Sequence, residues 1–116
     1  MGHLYYGNLP DPIEFPDRLL AHLKVVIATK LRRHESFTTS WRNAADDEGG
    51  RSTLWIEPSI PLRFVFGSAA PEPLHAPTLS ELANRASSTA GLTVDLDAVI
   101  PFDVDSGKVA PPVAIP

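Results

Sequence analysis

The chain has 116 residues, a mass of 12.6 kDa, 43% hydrophobic residues and a formal charge of −4, which suits one domain with a small core. The absence of cysteine removes disulfides, thiolate nucleophiles and thiolate-bound metals, and it fits a reducing compartment. No stretch reaches the roughly 18 apolar residues of a membrane span, and "MGHLYYGNLP" lacks a secretory pattern, so the expectation is a cytoplasmic protein with no membrane partner.

In chain order, "HLYYG" reads as a strand, "NLPDP" as a turn and "IEF" as a short return strand, an opening hairpin. Pro16 and Asp17 then suit a helix start, with proline near the first turn and an acid beside the positive end of the helix dipole. From Asp17 to Arg33, Leu19, Leu20, Leu23, Val26, Ile27 and Leu31 follow the three-four spacing of one helical face. Arg18, His22, Thr29 and Arg33 fall on the other. Lys30 projects near the middle of the apolar stripe, where its stem can lie over the core and its ammonium reach water.

After this helix "SFTTSWR" alternates as a strand, "AADDEGG" makes an acidic loop, and "STLWIE" and "IPLRFVF" read as two more strands. Together they suggest a three-stranded meander. Phe37, Trp41, Ile60, Leu62, Phe64 and Phe66 would face the core, while Thr38, Ser40, Arg42, Trp55, Arg63 and Val65 look outward. "SAAPEPLHAP" is a surface connector. Thr78, with Glu81 three positions on, has the spacing of a capping box for a second helix, "LSELANRASS". Gly91 fits the position past its end, and "LTVDLD" alternates into a closing strand. The remainder, from Ala98, mixes Pro101, Pro111, Pro112 and Pro116 with apolar residues around a "DSG" turn, and part of it is expected to pack.

By "MGHLYYG", "DRLLAHLKVVIATKLRRHESFTTSW", "GRSTLWIEPSIPLRF" and "LANRASSTAGL", the chain resembles a family of small actinobacterial proteins of unknown function whose members often carry the label "ATP-dependent DNA ligase". The resemblance covers roughly residues 1 to 95. Two positions depart from it: His34 stands where such relatives would have Gly, at a left-handed helix cap, and Glu57 precedes Pro58 where His is expected. The label implies adenylyl transfer, which needs a nucleophilic lysine, usually in Lys-x-Asp-Gly. The lysines here read "KVVI", "KLRR" and "KVAP", and none matches.

Charge is unevenly spread. Arg18, Lys24, Lys30, Arg32, Arg33 and Arg42 are six of the ten Lys and Arg residues and neighbour only Asp17 and Glu35, whereas the last quarter sets Asp95, Asp97, Asp103 and Asp105 against Lys108. The plain reading of Lys30, Arg32 and Arg33 is a helix end whose cations suit the dipole. The competing one is a phosphate-contacting patch joined by Lys24, Arg42 and Arg51. An exposed Trp55 between arginines could stack bases or anchor a protein; the plain alternative has it covered by the Pro-rich connector or the tail. His3, His22, His34 and His75 show no zinc spacing, and Asp46, Asp47 and Glu48 lack the alternation of a calcium loop. No nucleophile elbow or phosphate loop is present. No metal or cofactor is therefore expected, and no catalytic residue is assigned.

The expectation is an α+β domain over residues 1–97, an antiparallel sheet (N-terminal hairpin, three-stranded meander, closing strand) with two helices on one face, followed by a Pro-rich tail at 98–116. Functionally it reads as a non-enzymatic binding or accessory module for a protein partner or its own copy, with nucleic-acid binding as the alternative and ligase-related chemistry as a third reading. Lys30, Arg32, Arg33, Arg42, Trp55 and Arg63 are the candidate contact residues.

Overall fold

The computed structural model describes residues 1–43 and 50–102. The acidic loop with Asp46, Asp47 and Glu48, and the tail with its "DSG" turn, lie outside the described residues.

Among the described residues, two helices and two three-stranded, mostly antiparallel sheets make an α+β fold. In chain order they are β1 (Gly2–Tyr6), β2 (Ile13–Phe15), α1 (Asp17–Arg32), β3 (Phe37–Arg42), β4 (Arg51–Ile56), β5 (Leu62–Val65), α2 (Ala76–Ala86) and β6 (Leu92–Val94). The first sheet has the order β2-β1-β5 and the second β4-β3-β6, with β6 parallel to β3. The expected hairpin pairs Gly2 with Phe15 and Leu4 with Ile13. The expected meander divides: β3 and β4 form a hairpin, but β5 pairs with β1, Tyr5 opposite Arg63 and Tyr6 opposite Leu62. The reason lies in the link. Pro58 and Pro61 cannot build the two-residue turn that would fold β5 back on β4, and the Pro61 carbonyl instead accepts from Gly7 N–H at 2.8 Å.

α1 supplies the centre of the core. Leu19, Leu20, Leu23, Val26 and Ile27 are buried together with Leu4, Phe15, Phe37, Trp41, Ile56, Leu92 and Val94. Phe15 and Trp41 meet edge to face at 5.4 Å, joining the two sheets through one aromatic pair. α1 packs on β1 and α2, and α2 packs on β3 and β6, so the helices lie side by side over the sheets.

Three details of the helices depart from the sequence reading. α2 starts at Ala76, so Thr78 is in the first turn rather than at the cap. Pro77 needs no backbone N–H there, and the His75 ring bonds Thr78 Oγ1 at 2.7 Å while Glu81 turns to Arg85 at 2.8 Å. His22, placed by periodicity on the polar face, is fully buried. The connector and the segment after β6 cover that face of α1. Arg18 donates from Nε to the Ile100 carbonyl at 3.2 Å, from Nη2 to that of Pro101 at 2.6 Å, and from Nη1 to that of Pro73; its guanidinium stacks on Phe102 at 3.8 Å. Ile100 is buried in the core. The closing strand ends at Val94, and Asp95 Oδ1 accepts from Asp97 N–H at 2.9 Å to turn the chain toward Arg18.

Candidate functional site

"TKLRRHESF" resolves into a helix terminus. The N–H of His34 donates to the Leu31 carbonyl and that of Glu35 to the Lys30 carbonyl, both at 3.0 Å, the paired bonds of a Schellman ending. His34 takes the left-handed turn, with φ 58°, at the position where glycine was expected. Lys30 does not lift into water: its side chain is only 11% exposed, and Nζ reaches Glu35 Oε1 at 3.0 Å and Ser87 Oγ at 2.8 Å. The ammonium ties the end of α1 to the end of α2. Arg32 and Arg33 are exposed at this terminus.

The other candidates belong to the two sheets. Asn43 N–H donates to the Gly50 carbonyl at 3.0 Å, which marks residues 43 and 50 as a hydrogen-bonded pair. Antiparallel alternation then makes Arg42–Arg51, Ser40–Thr53 and Thr38–Trp55 the non-hydrogen-bonded pairs, whose side chains approach most closely. The 2.8 Å contact between Ser40 Oγ and Thr53 Oγ1 fits that alternation. The outer face of β4-β3-β6 is therefore a ladder: two arginines at one end, two bonded hydroxyls in the middle, and Trp55 beside Thr38 at the other end. Four residues along a strand separate the ends by about 13 Å.

Trp55 is 54% exposed, in contrast to Trp41 at 6%. The connector does not cover it. Its segments are held elsewhere, Pro73 by Arg18 and the His75 N–H by His22. Trp55 forms one wall of a shallow depression of about 370 Å³ with Lys30, Glu35, Thr38 and Ser87. A larger groove of about 940 Å³ lies where β2 approaches β6; its lining includes Arg42, Arg51 and Arg85 as well as Glu14, Asp95 and Asp97, so opposite charges share it.

The structure thus brings Lys30 to Trp55 and Arg42 to Arg51, and separates Arg63. That residue sits on the other sheet, its guanidinium 5.4 Å from the Tyr5 ring. No single basic surface gathers all six candidates. Among the described residues no group of three His, Asp or Glu side chains is placed to hold a metal ion, and no helix is long and apolar enough to cross a membrane.

Sequence reasoning passed over two polar residues that tie α1 to distant segments, Arg18 and His22. The His22 ring accepts at Nε2 from His75 N–H at 2.9 Å and donates from Nδ1 to the Arg18 carbonyl at 2.7 Å. Burial lowers its pKa, opposed by the bond to that carbonyl and assisted by the nearby Arg18 charge; the neutral ring is the form that can accept at Nε2. Desolvation also lowers the Arg18 pKa, countered by Glu72. The one sequence signal was the i, i+4 spacing of the two residues on the face opposite the leucines.

No curated protein and no solved structure matches the chain. A family model described as Domain of unknown function (DUF7882) matches residues 1–97, and the chain belongs to that family.

Proposed function

We propose that this chain is a non-enzymatic binding module that docks a protein partner on the outer face of β4-β3-β6, with a second copy as the first partner to test. The observation carrying the proposal is Trp55, a large aromatic 54% exposed on β4, a strand paired along its whole length with β3. A half-exposed tryptophan flanked by hydroxyls has the character of an interface anchor: it brings much apolar area at little conformational cost and is surrounded by groups that can complete a polar rim. The cytoplasm is the proposed location, in keeping with the cysteine-free composition.

Sedimentation of the wild type and Trp55→Ser over a wide concentration range tests the reading, with iodide quenching of tryptophan emission alongside. Association that is lost in Trp55→Ser, with Trp55 shielded as the wild type associates, supports it. A wild type that remains monomeric with Trp55 equally quenched at every concentration removes the second copy as partner.

One observation favours nucleic acid as a second reading. Arg42 and Arg51 lie side by side on the face that carries Trp55, the pairing of cations and a stacking platform that single strands use. A gel shift with a short single-stranded oligonucleotide at low and moderate salt, repeated with Arg42→Glu, decides it: equal mobility for both proteins ends this reading. The ligase-related reading has its own test, in which incubation with labelled ATP and magnesium leaves no covalent band if no lysyl adenylate forms.

A further inference from the structure

The same alternation that places the side chains also says where the backbone points. In the hydrogen-bonded pairs of β3 and β4 the peptide groups face each other, so at Arg51, Thr53 and Trp55 they face away from β3, toward the open edge. On the other side of the sheet, β6 runs parallel to β3 with Thr93 level with Ser40. Ser40 directs its peptide groups toward β6, where Leu92 and Val94 meet them, and Thr93 is left facing outward. The edge-facing carbonyls at Trp55 and Thr93 both carry a side-chain donor brought from another element. Tyr6 Oη, at the end of β1, donates to the Trp55 carbonyl. Arg85 Nη1, in the last turn of α2, donates to the Thr93 carbonyl at 3.1 Å.

We propose that Tyr6 and Arg85 are edge guards: they occupy the outward carbonyls at the two borders of β4-β3-β6 and keep the sheet from growing by addition of a further strand. An unguarded edge offers a row of donors and acceptors to any extended chain, and native sheets blunt such edges with charge, short length or covering groups. Here β6 has three residues, of which Thr93 alone faces out, and one guanidinium suffices to block it. On β4, among the described residues, the Tyr6 guard leaves only Arg51 and Thr53 open, too few for a stable added strand, and Arg51 places a cation beside them. The first sheet uses other devices. β2 is three residues long between Pro12 and Pro16, and β5 begins directly after Pro61, where proline denies a donor.

The consequence concerns the kind of partner. A partner that adds a β-strand has to displace a guard, whereas a folded surface can settle on the outer face without touching either. The edge-guard proposal stands apart from the Trp55 reading, because its variants leave Trp55 in place.

The test uses the full chain with Tyr6→Phe, Arg85→Ala and the double variant. Glu81→Ala serves as control, since it removes the 2.8 Å pair with Arg85 and keeps the guard. The expected result is self-association at least about tenfold tighter in the double variant than in the wild type, equal to about 1.4 kcal/mol, accompanied by an intermolecular β-sheet signature in the infrared. Arg85→Lys, which restores a donor and a charge, should return toward wild type, and Glu81→Ala should match it. A double variant with native circular dichroism and wild-type sedimentation overturns the proposal. Should the double variant not fold, Arg85→Ala alone decides by the same reading, against Arg85→Lys.

Discussion

Replacing His22 with leucine tests the buried polar face of α1. The substitution roughly preserves volume but leaves the His75 N–H, now held at 2.9 Å by Nε2, without an acceptor. An orphaned donor beneath the connector costs about 1–3 kcal/mol. Loss of the 2.7 Å bond to the Arg18 carbonyl adds little, because that carbonyl also caps the helical turn, and greater apolarity returns part of the loss. The expected net destabilisation is about 2 kcal/mol near neutral pH, a fall in Tm of roughly 10 °C for a domain of this size. The pH dependence gives a second reading. Burial holds the folded-state pKa of His22 below its ordinary 6.5, so between the two values the unfolded chain binds the extra proton and stability rises with pH. The contribution of His22 is complete above pH 6.5 and is lost as pH falls below 6.5 toward the folded-state pKa. Urea titrations of both proteins from roughly pH 7.5 to pH 5 should therefore show the gap between wild type and His22→Leu shrinking with acid. A gap that stays constant, or widens, refutes the claim that a neutral, hydrogen-bonded imidazole is buried there.

Ile100→Ala should destabilise by about 2 kcal/mol, and truncation after residue 97 should do no less harm than that in thermal unfolding, because Ile100 is buried in the core and Arg18 grips Ile100 and Pro101. His34→Gly should stabilise by about 0.5–1 kcal/mol in chemical denaturation, since glycine accepts the left-handed φ of 58° without a Cβ penalty. Gly91→Ala should cost about 2–4 kcal/mol, because φ is +82° and a Cβ would collide with Thr38 Oγ1. Thr38→Ala should recover only part of that loss, the Thr38 carbonyl remaining at 2.9 Å from the added carbon. Trp55→Ser should alter stability by less than about 0.5 kcal/mol, whereas Trp41→Ala should cost about 3–5 kcal/mol; thermal melts of the two variants give the comparison.

Much of the architecture follows from local pattern. The leucine spacing of residues 17–33 specified α1 to within one residue, and strict alternation specified β3 and which of its side chains face the core. The left-handed φ at His34 was implied by the family resemblance, which has glycine there, and not by local pattern. The candidate surface was half legible. Alternation alone turned Arg42 and Trp55 outward, and the hairpin register then aligned Arg42 with Arg51.

What local pattern could not decide was which elements meet. A residue's periodicity states only that it faces away from the leucines; whether water or another segment lies there depends on the path of distant chain. Arg18 and His22 share a polar-looking stripe, yet contacts 53 to 83 residues away in sequence bury them. Lys30 similarly exchanges water for Ser87, 57 residues on. The division of the meander has the same origin. A strand's pattern fixes its inner face and is silent on its neighbour, and it took the Pro58–Pro61 link together with the open side of β1 to carry β5, and Arg63 with it, to the other sheet.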